Sequence, residues 1–584
     1  MCGIFGIYSE NSSLNYINQK CKLAKKYLSH RGIDDDGIWI SKDFGFAHTR
    51  LSIIDLSKNA RQPMVCSDDR YVICYNGEIV NFLNIKKDLE KRGVSFKSNS
   101  DTEVILELFK KEKFGMFKYL QGMYVFSIYD KLKKKVFIAR DQIGIKPLFY
   151  TLRNKKFIFS SEIKTLKKVM KIKLNINKEK LFEFIVHGNI FGENTIYEKI
   201  YKLEPGCVIT YQKGKIFKKK YPVDIAVKFT KLNSIKKIVQ EWAISDVKVG
   251  ALFSGGLDSS LICKLLSLVP KKKISLFTAF FKDIPNSKFN NDLNQSKILK
   301  HKIDHEKHYI IPIDTLNLKN KIEKIVEHTL EPIHDFNTIT FMDICSYIKR
   351  KTKHKVIFTG DGADEIFGGY QRYQDIKKKF NYSRDIRDIL LSLNYLSVDR
   401  LKKISNYKFK LSNKRIELGN ELKKLNTNSL TKILIYDQKT FLQSYLDRLD
   451  KIGMMYGIEI RPPYLDKRIV NFANNLKESE KIITYNNKSW SKYSLRELVA
   501  KYFGKKFAFH NDKIPFSYPI EEFFKSNKSK SFFKNYFNKK SKIKKYFNIS
   551  KIKSMIDDSI EKKENYSNIL TRLISIEILL RKIN

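Results

Sequence analysis

Val249-Gly250-Ala251-Leu252-Phe253 runs directly into Ser254-Gly255-Gly256-Leu257-Asp258-Ser259-Ser260, and the fold of the larger part of the chain turns on that junction. An apolar run that stops at two glycines and resumes as Leu-Asp-Ser-Ser reads as strand, tight turn and helix start. Such a turn aims backbone N–H groups and a helix N-terminus at one point, which makes a phosphate cradle. No Gly-Lys-Ser/Thr follows, so it is not the loop that grips a transferred γ-phosphoryl group. Asp258 beside the cradle suits a Mg²⁺ ion carried by a nucleotide. A glycine turn alone is a weak signal, because a plain strand-to-helix connection looks the same.

Further along, Ile274–Phe280, Glu306–Ile311 and Val356–Thr359 are short apolar runs separated by helical patterns, the βαβ texture of a parallel sheet. The last run leads into Thr359-Gly360-Asp361-Gly362-Ala363-Asp364-Glu365-Ile366-Phe367-Gly368-Gly369-Tyr370, which puts carboxylates at the C-terminal edge of the sheet, where such sheets bind ligands. Asp364 is expected to share Mg²⁺ with Asp258, and Asp361 to face the reacting acyl group or the incoming amine. Without the glycine loop the same stretch would read as a solvated acidic turn. Beyond about Phe380 the pattern is mostly helical.

The first two hundred residues have a different texture. Phe5–Tyr8, Tyr71–Tyr75, Met123–Asp130, Lys135–Ala139 and Lys156–Ser160 are β-type runs, with helical stretches at Asn84–Arg92 and Asp101–Lys111. This is an α+β pattern rich in antiparallel sheet. Cys2 follows Met1, so loss of Met1 would leave a thiol and a free α-amine on one residue, a nucleophile with its own base. Asn76-Gly77 offers a side-chain amide and a glycine N–H, the donors of an oxyanion hole. Arg50 suits a substrate carboxylate, while Glu78 and Asp101 suit an α-ammonium group. Individually, Asn76-Gly77 is also a common turn, Arg50 a surface charge and Asp101-Thr102-Glu103 a helix start.

Several ordered blocks of this half resemble the class II glutamine amidotransferase domain. They are Met1–Ile7, His30-Arg31-Gly32, Arg50–Asp55, Gln62-Pro63-Met64, Tyr75–Ile79, Ser100–Glu103, Ala139–Asp141, Gly144–Tyr150 and Ser160–Lys164. The resemblance implies an N-terminal-nucleophile αββα sandwich in which Cys2 attacks glutamine, with Asn76 and Gly77 assisting. Arg50, Leu51, Ser52, Ile53, Ile54, Asn76, Gly77, Glu78 and Asp101 would hold the glutamine. Ile33 stands where that family usually has proline.

The glycine loop resembles the pyrophosphate loop of ATP pyrophosphatases, and the whole chain resembles the glutamine-dependent asparagine synthetases. Glu331-Pro332 with Asp335, Arg461–Asp466, Lys492, Lys513 with Phe516 and Pro519, and Leu573–Glu577 extend the match. The resemblance implies an ATP-dependent, glutamine-hydrolysing amidoligase acting on L-glutamine, L-aspartate and ATP with Mg²⁺. Phe253, Ser254, Gly255, Gly256, Asp258, Ser259, Ser260, Ala279, Thr359 and Gly360 would bind ATP. Asp258 and Asp364 would hold magnesium, with Asp361 and Lys492 catalytic and Lys492 meeting charge on the adenylate or pyrophosphate. Asp361 stands where the family often has glutamate, and Asn291-Asp292-Leu293-Asn294 lacks a glutamate usual there. Both departures bear on the second substrate, so a sugar or peptide carboxylate is the alternative acceptor.

The implied division is a glutaminase domain at 2–210, a linker at 211–235, an α/β ATP-pyrophosphatase domain at 236–525 and a basic helical extension at 526–584. The 584 residues carry 112 Lys+Arg against 62 Asp+Glu, a net charge of +50. A charge of that size raises a polyanionic partner, and with it a basic nucleic-acid-binding protein on a vestigial enzyme fold. The lysines are spread over both halves, which favours compositional background, so no nucleic-acid partner is expected. The aromatic, lysine-rich stretch Phe532–Phe547 is the local candidate for such binding. His301, His305 and His308 are spaced for one helix face, yet their lysine-rich surroundings oppose zinc. The seven scattered cysteines, the lack of a leader pattern and the short apolar runs predict a cytoplasmic protein without a membrane partner, with a homodimer as one assembly to expect.

Overall fold

The computed structural model describes residues 2–221, 234–285, 287–375, 398–485, 488–509, 517–520, 528–561 and 563–583, together with 390 and 523. Lys513 and Phe516 lie outside these residues. The amino-terminal strands are β1 (Cys2–Tyr8), β2 (Asp35–Ile40), β3 (Phe44–Arg50), β4 (Met64–Val65), β5 (Tyr71–Ile79) and β6 (Gly122–Asp130). They continue as β7 (Lys135–Arg140), β8 (Phe149–Arg153), β9 (Lys156–Ser160), β10 (Tyr201–Lys202), β11 (Cys207–Gln212) and β12 (Lys215–Lys220). These form two six-stranded antiparallel sheets, β10-β8-β9-β1-β3-β2 and β12-β11-β7-β6-β5-β4.

Strand alternation explains the layers. Ile4, Tyr8, Phe44 and Phe46 of one sheet pack with Val72, Cys74, Val125 and Ile138 of the other. Their neighbours Phe5, Ile7 and Ala47 face the opposite way, onto Ile17, Cys21, Ala24 and Leu28 of the helix Leu14–Leu28. Because both faces are covered, β1 and β3 are buried throughout; β1 is almost wholly apolar, and β3 is apolar until His48, Thr49 and Arg50 at its end. Ser13 caps the helix Leu14–Leu28 and Ser100 caps the helix Asp101–Glu112, each accepting a backbone N–H of its first turn.

Residues 211–220, expected as linker, are instead β-structure. Tyr211 and Gln212 end β11, which pairs with β7, and β12 pairs with β11 as the sheet edge. The lysines of β12 are exposed, as suits an edge strand that must not recruit another chain, and this surface charge gave the stretch its linker-like composition.

The second half is built on β13 (Val249–Leu252), β14 (Ser275–Phe281), β15 (Lys307–Ile313), β16 (Val356–Phe358) and β17 (Glu459–Arg461), a parallel sheet in the order β15-β14-β13-β16-β17. The chain winds outward from β13 on one side, then returns to place β16 beside it on the other. The loops after β13 and β16 therefore diverge at a switch point, the crevice where open parallel sheets bind ligands. Strand β17 has three residues, too few to give a periodic signal. The described residues after it are mostly helical, with one small hairpin, β18 (Ile482–Tyr485) and β19 (Lys488–Ser491).

The terminal helix Ser567–Ile583 is part of the core, and Ile569, Leu570, Leu573, Ile574 and Ile576 are buried. Its Arg572 donates to the carbonyl oxygens of Ile185 and His334, one from each half. In the preceding basic stretch Phe532, Phe533, Tyr536, Phe537 and Phe547 are buried, so these rings pack the core. The three spaced histidines do not share a helix. His301 lies in the short turn Lys300–Lys302, and His308 is in β15 against the Thr278 hydroxyl. Among the described residues no helix is long and apolar enough to cross a membrane.

Candidate active sites

Cys2 opens β1 and pairs in register with Arg50 of β3. Its backbone nitrogen donates to Asn76 Oδ1 at 2.8 Å, and Arg31 Nε donates to its carbonyl at 3.1 Å. Burial pushes the Cys2 thiol up, opposed by the nearby amino terminus, the Leu51 amide and Arg50. Asn76 and Glu78 stand on β5 with a polar atom each to spare. Asn76 Nδ2 and Glu78 Oε1 are buried and have no hydrogen-bond partner among the described residues. In a structure without substrate, an idle buried donor beside a thiol and an idle carboxylate oxygen near it are what an amide substrate would satisfy.

Arg50 is already engaged. Its guanidinium donates to the carbonyls of Ile54, Asp55 and Ser57 through Nη1 and Nη2, so it shapes the loop Leu51–Ile54 with part of its five-donor fork. Asp101 begins its helix and accepts from the Tyr75 hydroxyl at 2.8 Å and the Ile79 amide at 3.0 Å. Burial raises its pKa to about 6 against those two hydrogen bonds. Arg31 and Arg461 were not singled out from the sequence as site residues. Arg461 crosses from β17 to hold Glu78 Oε2 at 2.8 Å. Nothing in sequence spacing signals a contact between residues 383 positions apart.

At the switch point, Ser254 and Ser259 hydroxyls meet at 2.9 Å, and Gly256 N–H donates to Ser254 Oγ at 3.3 Å, which folds the loop over the start of the helix Leu257–Ser267. Gly255 has φ +74°, and a Cβ there would come within 2.7 Å of Gln295 Cβ and 2.8 Å of the Ser296 nitrogen. Only glycine makes this turn without displacing the helix Asn291–Leu299. A Cβ on Gly360 would come within 3.0 Å of Asp258 Cβ, so the loop after β16 lies directly against the first.

Lys492 joins the two loops, its Nζ 2.6 Å from Asp258 Oδ2 and 2.5 Å from Asp364 Oδ1. Gly369 leaves the room for this, since a Cβ there would collide with Asp364 Oδ1 and Lys492 Cε. Ser254, Gly256, Asp258, Ser259, Thr359, Gly360, Asp361 and Asp364 line a cavity of about 780 Å³. Phe253, Gly255, Ser260 and Ala279 do not line it. The Phe253 ring packs on His308, Gly255 backs onto Gln295, and Ser260 and Ala279 face the protein interior. Asp361 Oδ1 lies 3.5 Å from Arg448 Nη2, and Arg448 carries no sequence signal, being one arginine inside the helix Phe441–Met455. Glu365 also lines the cavity and accepts from the Tyr370 hydroxyl at 2.8 Å. Burial, then Asp364, raises its pKa to about 7.

A buried amino-terminal cysteine in a two-sheet sandwich, joined to a parallel-sheet domain with a glycine loop, defines a two-domain protein of the N-terminal-nucleophile glutamine amidotransferase class. Residues 1–222 match the family profile described as glutamine amidotransferase domain, and residues 232–581 match that described as asparagine synthase. The chain belongs to the asparagine synthase family. It is 27% identical to asparagine synthetase [glutamine-hydrolyzing] 1 of Bacillus subtilis over 572 residues, covering 90% of this chain and 88% of that one. It is 32% identical to putative asparagine synthetase [glutamine-hydrolyzing] 2 of Methanocaldococcus jannaschii over 406 residues, 64% of this chain and 76% of that one. Against asparagine synthetase B [glutamine-hydrolyzing] of Escherichia coli the identity is 25% over 521 residues, 86% and 79% of the two chains.

Proposed function

We propose that this chain makes asparagine in two coupled reactions. Glutamine is hydrolysed at Cys2 to glutamate and ammonia, ammonia passes within the protein, and aspartate activated with ATP as β-aspartyl-AMP is amidated, releasing AMP and pyrophosphate. The observation that carries the reading is the convergence of Asp258, Asp364 and Lys492 beside the switch-point cavity, in one chain with a Cys2 whose nitrogen rests on Asn76.

With Met1 removed, the Cys2 nitrogen is an α-amine able to take the thiol proton during attack, and Asn76 Oδ1 holds it in place. Asn76 Nδ2 and the Gly77 N–H are assigned to the oxyanion, which forms only as the thiol attacks and so draws selectively on those donors. Glu78 Oε1 and Asp101 are assigned to the glutamine ammonium, and the Leu51–Ile54 loop shaped by Arg50 to the rest of that substrate.

In the synthase domain the Ser254–Ser260 loop and Thr359-Gly360 are assigned to ATP. Two carboxylates on facing loops fit Mg²⁺, a hard cation held by one or two carboxylates together with substrate phosphates. Bound there it would neutralise phosphate charge. Lys492 is assigned to the charge on the adenylate and the departing pyrophosphate, and Asp361 to the acyl group or the amine. A smaller cavity of about 110 Å³ lies between the domains, lined by Phe149, Asn189 and Lys202 on one side and Glu331 and Arg448 on the other. Arg448 also lines the larger cavity, which supports an internal route for ammonia.

The amidotransferase domain is assigned to 2–221, the synthase domain to 236–525 and the C-terminal segment to 526–584. A cytoplasmic homodimer completes the proposal, and free buried cysteines suit that reducing compartment. The test supplies glutamine, ATP, Mg²⁺ and aspartate and measures asparagine, AMP and pyrophosphate. Cys2→Ala is expected to lose synthesis from glutamine and keep it from ammonium salts. Pyrophosphate exchange driven by a sugar or peptide acid and not by aspartate would overturn the choice of acceptor.

A further inference from the structure

Three side chains that no spacing would pair meet on the seam between the two domains. His30 follows the helix Leu14–Leu28, Glu162 precedes the helix Ile163–Met170, and His328 lies in the last turn of the helix Leu318–Thr329 across the seam. One ligand atom from each falls within 4.8 Å of the others. His30 Nε2 is 2.8 Å from Glu162 Oε1, and the rings of His30 and His328 meet edge to face with centroids 4.5 Å apart. Glu162 is only 7% exposed, yet its Oε2 has no hydrogen-bond partner among the described residues, and neither has the buried Nε2 of His328.

Two imidazoles and a carboxylate are the donor set of an open three-ligand zinc site, and imidazole nitrogen suits late first-row divalent ions. We propose that His30, Glu162 and His328 bind one such ion, of the zinc class, and that it ties the amidotransferase domain to the synthase domain.

The surroundings accommodate the charge. Arg31 Nη1 is 3.3 Å from Glu162 Oε1, while its Nη2 is 2.8 Å from Asp450 Oδ2, so the guanidinium is neutralised on its far side. Arg31 then acts as an outer partner that orients Glu162 through Oε1 and leaves Oε2 for the ion, the usual arrangement behind a ligating carboxylate. Two lysines add to the positive charge nearby: Lys164, whose charge acts on His328, and Lys146, which lies 3.7 Å from Asp450 Oδ1 and is neutralised there. Arg31 also holds the Cys2 carbonyl, so an ion on Glu162 would sit one side chain away from the group that seats the nucleophile.

The test strips the full chain with a chelator and titrates it with Co²⁺ in the absence of nucleotide. The expected result is one equivalent per chain with a visible d–d band. It should lack the sulfur-to-metal charge-transfer absorption that binding to any of the seven cysteines would add. His328→Gln and His30→Gln are each expected to weaken binding at least about tenfold, and Zn²⁺ to raise the Tm of the parent but of neither variant. The metal-free melting transition of each variant shows that it is folded, and if one is not, the other carries the comparison. Absence of saturable Co²⁺ binding to the parent, a charge-transfer band, or unchanged affinity in a folded variant would overturn the proposal.

Discussion

Asn76 shows how one side chain is divided between two tasks. Its oxygen holds the Cys2 nitrogen at 2.8 Å, and its buried amide nitrogen is left idle. Asn76→Ala removes a donor of the kind worth about 10²–10³ in kcat for acyl transfer. Synthesis from glutamine should fall by that order while synthesis from ammonium salts persists, and comparing the two rates checks it. Glu365 carries a pH dependence of opposite sign to that of a salt-bridged acid. Burial raises its folded pKa to about 7, above the ordinary 4.5, so the folded protein holds a proton that the unfolded chain releases. The stability this gives is fully present below the unfolded pKa and is lost as pH rises through about 7. Glu365→Gln should therefore gain on the parent by roughly 1.4 kcal/mol per pH unit across that window, read from urea unfolding at several pH values.

At the scale of elements, the loop after β13 was legible because its constraint is local. The turn needs φ +74° at Gly255, and the space beside it is filled by Gln295 and Ser296. Gly255→Ala should cost about 1–2 kcal/mol for the left-handed backbone alone, with more from displacing the helix Asn291–Leu299. The expected outcome is a raised KM for ATP with hydrolysis of glutamine alone unchanged, measured in separate assays on the same preparation. Strand β12 misled for the converse reason. A lysine-rich strand and a lysine-rich linker have the same composition, and only its pairing with β11 tells them apart. The aromatic residues of Phe532–Phe547 pose the same ambiguity, decided by which way the rings face.

Across the whole molecule, buried ion pairs cross the seam between domains: Arg31 to Asp450, Arg415 to Glu183 and Arg461 to Glu78. Arg461 links both regions, with its guanidinium on Glu78 of β5 and its carbonyl accepting the Thr359 amide at the switch point. Arg461→Met removes from the buried Glu78 the guanidinium that holds its Oε2, a change expected to cost about 3–5 kcal/mol. It should lower the urea midpoint and weaken glutamine-dependent synthesis more than ammonia-dependent synthesis. The net charge of +50 determines none of this chemistry, which rests on a thiol, amides, carboxylates and glycines. Sequence alone determined the two-domain order, the strand that opens at Cys2 and the glycine loop, because each depends on neighbours within a few residues. Only the tertiary structure decided that Arg50 braces its own loop, that Lys492 bridges Asp258 and Asp364, and that His30, Glu162 and His328 meet. Those contacts are fixed by how separate elements pack, and no local spacing encodes the distance between groups that come together only when the core closes.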